Sequence, residues 1–324
     1  MRAFVNDHYG PPDDLRCVDL PDPAPGPGQV VLRVEAASLN PADWHYLRGD
    51  PWIARAAMGW RRPRRIIAGI DAAGTVVAIG SGVDTVSVGD PVVGYCDGAF
   101  AELAVAGDGH VVRRPKSLSA VDAASLPTAA TTAVRAIRDV ARVEPGQRVL
   151  VNGAAGGVGS MAVQVARHLG ATVTGVCSAA GADLVRRCGA SEVVDHTRSP
   201  LTTSTDRFDV ALDNVCNHRI ASMRRLLTDR GTLVVNGGGS PGKVFGAVGT
   251  LAAAGLTDKI VRQRVTTVPS RMDAGELRDV VAMVVAGDLA PTVSEEIGPD
   301  QLIDGLRRVE DGHTHGKIVM CPSR

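Results

Sequence analysis

The stretch RVLVNGAAGGVGSMAVQVARHLG, residues 148–170, decides the fold of this chain. Its apolar run at 149–151 predicts a buried parallel strand, and the glycine-rich turn that follows opens directly into an amphipathic helix. The first N–H groups of such a helix have no intrahelical acceptor and carry partial positive charge. This order of strand, turn and helix predicts a dinucleotide pyrophosphate site rather than a plain tight turn.

The turn departs from the G-x-G-x-x-G fingerprint at its first position, where Ala154 replaces glycine. Gly156 keeps the second position, which must admit the phosphate, and Gly159 keeps the third, which must let helix and strand pack closely. The residues expected to contact the cofactor here are Ala155, Gly156, Gly157 and Val158.

The end of the next strand, predicted at 171–178, indicates which dinucleotide binds. An NAD enzyme usually places Asp or Glu there, whereas this chain has Cys177 and Ser178 and no acid before Asp183. Ser178 can donate to a 2′-phosphate, so NADPH is predicted over NADH. Further donors or positive groups follow at Arg186, Arg187, His196 and Arg198. The alternative is that these arginines only solvate a helix face.

Composition indicates a cytoplasmic enzyme with more than one domain. The chain has 324 residues, 44% of them hydrophobic, and 35 basic residues balance 35 acidic ones. This balance argues against nucleic-acid or membrane partners. The six cysteines show no C-x-x-C spacing, so free, buried thiols are expected and no zinc lobe. The sequence shows no secretory signal pattern and no apolar run of about twenty residues.

The predicted pattern of secondary structure changes near residue 123. The part before it reads as β-rich, with strands predicted at 29–36, 74–79, 91–95 and 100–104. Helices and strands then alternate as in a doubly wound parallel sheet, with strands predicted at 149–153, 172–177, 208–213, 231–236 and 265–269. Helices at 274–286 and 301–310 and a strand at 317–320 form a tail too short to fold alone, so we expect it to return to the first part.

Several motifs in order resemble the medium-chain dehydrogenase/reductase superfamily, in its zinc-free quinone oxidoreductase-like branch. They are NPADWHYLRG (40–49), GIDAAGTVVAIGSGV (69–83), VGDPVVG (88–94), GAFAELAV (98–105), LPTAATTAVRAI (126–137), VNGAAGGVG (151–159) and GHTHGKIVM (312–320). The resemblance covers essentially the whole chain. It implies an α/β protein with a GroES-like β-rich catalytic domain, 1–122 and 271–324, a Rossmann doubly wound parallel-sheet domain, 123–270, and a homodimer.

The zinc-dependent alcohol dehydrogenases of that superfamily hold catalytic zinc with an early cysteine and the histidine of a G-H-E motif. This chain has Asn40 and Gly69-Ile70-Asp71 there, so no metal is expected. Without a Lewis acid, the function that the resemblance implies is NADPH-dependent hydride transfer to a small electrophilic acceptor, a quinone or an α,β-unsaturated carbonyl. A zinc-independent alcohol or ketone oxidoreductase and a non-catalytic nicotinamide-binding regulatory or structural protein remain alternatives.

The candidate catalytic residues follow from the 40–49 motif. Family members place a polar residue at Asn40 facing nicotinamide and substrate, although this Asn before Pro41 could instead stabilise a turn. Asp43 is expected to cap the next helix. His45 occupies the step where related reductases carry tyrosine, and Tyr46 comes one residue later, so the proton donor could be His45, Tyr46 or a water.

The remaining cofactor residues are implied by the resemblance and by predicted strand ends. Thr132 matches a family threonine near the nicotinamide, and His196 replaces a tyrosine that relatives use beside the adenosine. Val215 and the run Gly237, Gly238 and Gly239 follow predicted strands and should border the cofactor. Gly181 stands where relatives often carry a lysine for the 2′-phosphate, which weakens the NADPH prediction.

Overall fold

The computed structural model describes residues 1–201, 204–237, 257, 262–312 and 314–323. The chain divides into two compact units. The first comprises Met1–Thr128, Arg271–Gly287 and Pro291–Arg324, and the second comprises Ala129–Ser270 and Asp288–Ala290.

Fifteen strands and nine α-helices are found in the described part of the chain. The strands are β1 (Arg2–Val5), β2 (Arg16–Asp19), β3 (Gln29–Ser38), β4 (Asp71–Ile79), β5 (Pro91–Tyr95), β6 (Leu103–Gly107), β7 (Val111–Arg113), β8 (Arg148–Asn152), β9 (Thr172–Cys177), β10 (Glu192–Asp195), β11 (Phe208–Asp213), β12 (Leu227–Val235), β13 (Arg264–Thr267), β14 (Val293–Ile297) and β15 (Lys317–Met320). The helices are α1 (Pro41–Arg48), α2 (Arg55–Met58), α3 (Ala120–Ala124), α4 (Pro127–Val134), α5 (Gly157–His168), α6 (Ala182–Arg187), α7 (Ile220–Arg224), α8 (Ala274–Ala286) and α9 (Leu302–Glu310).

The second unit contains a parallel sheet in the order β10-β9-β8-β11-β12-β13. Its central strand β8 is fully buried at Val149, Leu150 and Val151, as the continuous apolar run predicts. The chain leaves β8 toward β9 on one side and reaches β11 on the other, so the strand order reverses beside β8. This is the predicted doubly wound arrangement, and such a reversal is where open α/β sheets bind ligands.

Two features of this sheet differ from the sequence prediction. Strand β12 begins at Leu227, four residues before the predicted 231, with a register shift against β11. Strand β10 was missed altogether. It has only the sequence EVVD and is exposed or half-buried throughout, so it lacks the buried apolar run by which the other strands are recognised.

The first unit is built on a sheet in the order β14-β15-β3-β4-β5-β7, with β6 also paired to β3 and a separate β1–β2 pair. Its core includes the fully buried side chains of Leu32, Leu39, Leu47 and Phe100. The strand predicted at 100–104 was placed too early. The amide of Phe100 donates to Ala68 O and that of Glu102 to Arg2 O, so this segment pairs elsewhere before β6 begins.

The C-terminal tail has the predicted elements. Helix α8 and strand β15 have the predicted bounds, and α9 begins one residue later than predicted. Strand β15 pairs antiparallel with β3, Val319 opposite Ser38 and Met320 opposite Ala37. The tail therefore completes the first unit, and it places Lys317 in the interior of that unit at 3% exposure.

Candidate active site

The glycine turn between β8 and α5 leaves a helix N-terminus without a cap. The amides of Gly153 and Ala154 both donate to Val176 O, at 3.1 and 2.9 Å, and so tie the turn to β9. Gly156 is the N-cap residue of α5 and contributes no capping side chain. The first amides of α5 thus have no intrahelical acceptor and no capping oxygen from any described residue, which suits an anion.

The two fingerprint glycines have different surroundings. A Cβ on Gly159 would lie 2.0 Å from Gly153 O and 2.8 Å from the Ala154 Cα, so α5 packs against the turn only because this residue is glycine. A Cβ on Gly156 would meet only Gly153 O among the described residues, at 3.5 Å. No described residue fills the space beside Gly156, which is compatible with a pyrophosphate cradle.

A chain of amide and carboxylate contacts joins the carboxyl ends of β8, β11 and β12. Asn152 Nδ2 donates to Asp213 Oδ1 at 2.8 Å, and Asn236 Nδ2 donates to Asn214 Oδ1 at 2.8 Å. Asp213 Oδ1 also accepts from the amide of Cys216 at 2.9 Å. These bonds hold the loops after the strands in fixed positions at the sheet edge.

Val215 and Gly237 lie at this same edge. A Cβ on Gly153 would come within 2.8 Å of Val215 Cγ2, and a Cβ on Gly237 would come within 2.8 Å of Asn214 O. The structure thus brings Val215 and Gly237 to the edge that carries the glycine turn. Thr132 is half-buried on α4. Gly238 and Gly239 lie outside the described residues.

The ends of β9 and β10 bring Ser178 and His196 near each other. The two strands are parallel with Asp195 opposite Cys177, and the amide of His196 donates to Cys177 O at 3.1 Å. Asp195, which the sequence analysis missed, is an acid at this edge. Its Oδ1 accepts from Thr197 Oγ1 at 2.7 Å and from the Thr197 amide at 2.9 Å, and these bonds lower the pKa of Asp195.

One of the expected phosphate donors already has an acidic partner. Arg186 Nη1 lies 3.0 Å from Asp183 Oδ1, one turn earlier in α6. An exposed pair of this kind is worth only about 0–1 kcal/mol, so it leaves Arg186 able to exchange Asp183 for a phosphate.

In the first unit, the N-terminus of α1 is built around Asn40. Pro41 is the first helical residue, and the Asn40 amide donates to Asp43 Oδ2 at 2.7 Å. The expected capping role of Asp43 is therefore confirmed. Asp43 is 2% exposed, and its second oxygen, Oδ1, has no hydrogen-bond partner among the described residues.

Asn40 is the centre of a polar cluster of four buried residues and the half-buried Thr128, which we call the Asn40 network: Asn40, Asp43, Asp71, Thr128 and Lys317. Lys317 Nζ donates to Asn40 Oδ1 and to Leu39 O, both at 2.6 Å. Asn40 Nδ2 donates to Asp71 Oδ2 at 3.0 Å and to Ser38 O at 3.2 Å. Asp71 also accepts from Thr128, at 2.8 Å from Oγ1 and 3.0 Å from the amide.

These bonds bear directly on the expectation that Asn40 faces the substrate. The residue is 1% exposed, and both its amide oxygen and its amide N–H groups have partners inside the protein. The geometry favours the alternative, that Asn40 stabilises the turn before α1, because each polar atom of its side chain already has a partner inside the protein.

Burial dominates the protonation equilibria of the network. It raises the pKa of Asp43 to about 8, against the Asn40 amide and Lys317, which act to lower it. Burial also raises the pKa of Asp71, opposed by Lys317 and the Thr128 hydrogen bonds, and lowers the pKa of Lys317, opposed by both carboxyls. Each ionised member therefore depends on the others.

Asp43 and Tyr46 line one small cleft, whose water-accessible volume is about 20 Å³. We call it the α1 cleft; its lining includes Asn6, Asp43, Tyr46, Arg65, Ile67 and Ile70. Three residues apart on a helix, Asp43 and Tyr46 share a face.

His45 lies on a different face of α1 and is not part of the α1 cleft lining. Its ring stacks on Trp44 at 3.6 Å between centroids. Its Nδ1 is buried without a hydrogen bond to any described residue, and Asp50 Oδ2 lies 3.8 Å away. Burial lowers the pKa of His45, although Asp50 opposes the shift, so the imidazole favours its neutral form. The structure thus separates the two proton-donor candidates, His45 and Tyr46.

Comparisons with known proteins identify the family. Residues 26–116 match the alcohol dehydrogenase GroES-like domain, and residues 188–320 match the zinc-binding dehydrogenase family. The chain is 31% identical to a chloroplast envelope quinone oxidoreductase homolog of Arabidopsis thaliana, with 98% of this chain and 97% of that protein covered. The chain belongs to the medium-chain dehydrogenase/reductase superfamily.

Two further members of the superfamily are similar along nearly the whole chain. A 2-methylene-furan-3-one reductase of Solanum lycopersicum is 30% identical, with 99% of this chain and 79% of that protein covered. A mycobacterial structure in complex with NADPH superposes with a TM-score of 0.83 at 27% identity, with 99% of this chain and 100% of that chain covered.

Membership in the superfamily confirms the predicted fold class. The unit with the mixed sheet is GroES-like, and the unit with the parallel sheet is Rossmann-like. The protein is an oxidoreductase with the nicotinamide-dependent fold of this superfamily.

Sequence reasoning missed the Asn40 network, although signals for it were present. Lys317 is one of only four lysines in the chain and precedes the apolar residues Ile318 to Met320, a pattern that places its stem in a core. Asp71 was considered only as the replacement for a zinc-ligand position. That these residues, far apart in sequence, meet at Asn40 follows from the pairing of β3 with β4 and β15.

The structure also bears on the state of the cysteines, on metal binding and on membrane-spanning helices. Cys96, Cys177, Cys188 and Cys216 are free and buried as predicted, whereas Cys17 is exposed. Among the residues that the structure describes, no group of three or more His, Cys, Asp or Glu side chains could hold a metal ion. In the same residues, no helix combines the length and the hydropathy needed to cross a membrane.

Proposed function

We propose that this protein is a zinc-independent reductase that uses NADPH to reduce a quinone or an α,β-unsaturated carbonyl. The observation that carries the proposal is the N-terminus of α5 beside Gly156, where no described residue caps the first amides or fills the space that a dinucleotide pyrophosphate would need. The similarity to a quinone oxidoreductase homolog and to a 2-methylene-furan-3-one reductase, which is named for an enone, supports the acceptor class.

In this proposal the pyrophosphate is held by the amides of Ala155, Gly156, Gly157 and Val158. Thr132 on α4 borders the rest of the cofactor, together with Val215 and Gly237 at the carboxyl edge of the sheet. When bound, the nicotinamide supplies a hydride from C4. The residues of this chain bind and orient it, and the Asn152–Asp213 bond keeps the bordering loop rigid.

The preference for NADPH over NADH rests on the ends of β9 and β10. Ser178 and His196 offer donors where NAD enzymes place a carboxylate, and Arg186 is close enough in sequence to add a positive charge. Asp195 opposes this charge, and its hydrogen bonds from Thr197 favour its ionised form. The preference for NADPH therefore requires that Ser178, His196 and Arg186 together outweigh Asp195.

The residues at the positions of the superfamily's zinc ligands do not fit a zinc ion. Ile70 has no donor atom, and Asn40 Oδ1 is already bound by the Lys317 ammonium, which would repel a second cation. Asp71 accepts three hydrogen bonds from Asn40 and Thr128. No step of the proposed reaction involves a metal.

Substrate reduction is assigned to the first unit. Ile67 and Ile70 form apolar parts of the wall of the α1 cleft, and Tyr46 and Asp43 contribute polar groups to it. Tyr46 and His45 remain candidate donors to the acceptor oxygen, while Asn40 holds the cleft-forming helix in place through its network. A neutral His45 imidazole carries a proton on one ring nitrogen only, and only that N–H could be donated.

A direct assay distinguishes this function from the others. Purified protein is incubated with NADPH or NADH and a panel of quinones, enones, saturated ketones and alcohols, and cofactor absorbance is followed. We expect NADPH oxidation with quinones or enones. Turnover restricted to saturated ketones or alcohols would replace the proposal with an alcohol or ketone oxidoreductase, and cofactor binding without any turnover would indicate a regulatory or structural role.

A further inference from the structure

One segment of the first unit carries charge of a single sign. Between Pro51 and Ile70 the chain has five arginines and no acidic residue, although the whole chain balances 35 basic residues with 35 acidic ones. The five are Arg55, Arg61, Arg62, Arg64 and Arg65. The balanced total therefore hides a local positive field, and a partner at the surface responds to the local field.

Three of these arginines form no ion pair with any described residue. They are Arg61, Arg62 and Arg64, and all three are exposed. Arg65 differs from them, because its Nε lies 2.8 Å from Asp97 Oδ1. Three guanidinium groups close together in sequence are thus available to an anionic partner, and their planar donor arrangement suits phosphate oxygens.

Large apolar side chains are exposed in the same segment, residues 52–66, which we call the arginine loop. Trp60 is 71% exposed and Trp52 is 58% exposed, and Ile53 and Ile66 are exposed as well. These are four of the nine large hydrophobic side chains that are exposed in the described part of the chain. Apolar side chains clustered at a surface in this way mark an interaction site.

Tyr9 brings the two tryptophans of the arginine loop near each other. The guanidinium carbon of Arg55 lies 4.3 Å from the centroid of the Tyr9 ring and 5.2 Å from that of the Trp52 ring. The hydroxyl of Tyr9 donates to Gly59 O at 2.6 Å, next to Trp60. Both ends of the arginine loop are therefore attached around one side chain, and the two exposed indoles belong to one surface.

The part of the loop that carries Trp60 is a closed turn. The amide of Arg64 donates to Met58 O at 2.8 Å. Gly59 has a φ of 119°, and a Cβ there would lie 2.0 Å from Arg62 O, so this turn requires glycine. The exposure of Trp60 and its neighbouring arginines thus follows from a defined backbone conformation.

The size and chemistry of the arginine loop favour a lipid surface over a protein partner. A stable protein–protein interface uses about 20–30 residues from each side, whereas this loop has fifteen residues in all. Indole rings favour the headgroup level of a bilayer, and arginines are attracted to anionic lipids. We propose that the arginine loop binds the surface of an anionic membrane, with Trp60 between the headgroups and Arg61, Arg62 and Arg64 on lipid phosphates. This inference goes beyond the proposed function, since it requires neither cofactor nor substrate.

Vesicle sedimentation tests the proposal on the full chain. The protein is sedimented with vesicles of phosphatidylcholine alone and with vesicles in which one third of the lipid is phosphatidylglycerol. We expect binding to the anionic vesicles only. The binding should weaken as salt is raised, because salt screens interactions between exposed charges.

A charge variant locates the contact. Each arginine near an anionic leaflet strengthens binding about five-fold, so the triple variant Arg61→Gln, Arg62→Gln, Arg64→Gln should bind about 100-fold more weakly. A matched control removes the same charge from exposed arginines of the second unit, and its affinity should stay within about two-fold, because salt screens distant charges. The control substitutions are Arg207→Gln, Arg225→Gln and Arg230→Gln.

Tryptophan fluorescence tests the insertion of Trp60 separately from the charge. Lipids with brominated acyl chains quench an indole only where it enters the bilayer, so they should quench the unmodified protein in anionic vesicles. Trp60→Ser keeps every arginine, and most of this quenching should disappear. Half-buried Trp44 remains in the variant as an internal reference.

Melting temperatures confirm that each variant folds before its binding is compared. The proposal is overturned if the unmodified protein does not bind anionic vesicles at low salt, or if the two triple variants lose affinity equally. Binding of polyglutamate or of a single-stranded oligonucleotide through the same three arginines, without vesicle binding, would assign the loop to a protein or nucleic-acid partner instead. These outcomes leave NADPH turnover, which tests the proposed function, unaffected.

Discussion

At the scale of single residues, Lys317 is a buried cation of the first unit. Its ammonium is buried at 3% exposure and donates to Leu39 O and Asn40 Oδ1. Burying a charge costs several kcal/mol unless nearby groups compensate it, and Asp71 supplies the compensating charge through the shared Asn40 side chain. The lysine therefore links the C-terminal strand to the start of α1.

Removing this ammonium should destabilise the protein. Lys317→Met leaves Asp71 buried without a counter-charge, and the expected loss is about 3–5 kcal/mol of unfolding free energy, measured by urea denaturation. The double variant Lys317→Met with Asp71→Asn removes both charges and should recover part of that loss.

Lys116, which is exposed, provides the control for this experiment. Lys116→Met should change the unfolding free energy by no more than about 0.5 kcal/mol. If Lys317→Met were equally mild, Lys317 would not compensate Asp71, and the charge balance assigned to the network would be wrong.

At the scale of elements, the segment from β8 through the turn to α5 contains two glycines with different roles. Gly159 is needed for packing, and Gly156 is expected to border the cofactor. Gly159 lies against the backbone of the turn, whereas a Cβ on Gly156 would meet only Gly153 O among the described residues. The two positions are three residues apart in one turn, so substitutions at them provide a matched pair.

Gly159→Ala should reduce stability, because its Cβ would lie 2.0 Å from Gly153 O and overpacking costs about 1–3 kcal/mol. Gly156→Val should leave the melting temperature nearly unchanged but weaken NADPH binding about ten-fold or more, about 1.4 kcal/mol. Thermal melting and titration of Trp fluorescence measure the two effects. A Gly156→Val protein with unchanged NADPH affinity would show that the cofactor does not approach this turn.

The adjacent ends of β9 and β10 should determine the choice of cofactor. One charge-assisted contact to a phosphate is worth about 1.5–3 kcal/mol, so NADPH should bind at least about ten-fold tighter than NADH. Ser178→Asp should reverse this preference by repelling the 2′-phosphate and accepting a bond from the ribose. Equal or tighter binding of NADH by the unmodified protein would show that Asp195, and not the arginines, sets the field at this edge.

The elements differ in how far the sequence alone could place them. Strands with buried apolar runs, such as β8, β9 and β11, were predicted within one residue, because their burial on both faces leaves a clear pattern. The edge strand β10 and the position of β6 depend on pairing partners far along the chain. The same is true of the site: Gly156 and Gly159 follow from a local motif, whereas the meeting of Asp43, Asp71 and Lys317 depends on which strands pair.

At the scale of the whole molecule, both chain ends belong to one unit. Strand β1 lies near the N-terminus and β15 near the C-terminus, and both are part of the GroES-like unit, while the Rossmann-like unit is formed by a middle segment. Asp71 and Lys317 both contact Asn40, one of the positions that the resemblance aligns with a zinc ligand of zinc-dependent alcohol dehydrogenases. The protein is thus expected to keep the superfamily fold without its metal.

This expectation can be measured on the purified protein. Elemental analysis should find well under one zinc per chain, and NADPH-dependent turnover should be unaffected by a strong chelator, because Ile70 has no donor atom and Lys317 repels a cation. Stoichiometric zinc together with chelator-sensitive turnover would contradict it.

The central claim, hydride transfer from NADPH to an electron-poor acceptor, is tested most directly by isotope transfer. The protein is incubated with NADPH that carries deuterium at the transferable C4 position and with an enone, since a label on a hydroquinone oxygen would exchange with water. Mass spectrometry and NMR should locate one deuterium at the β-carbon of the saturated product. Consumption of labelled NADPH that yields product without deuterium, or no reduction of any enone or quinone, would contradict the account.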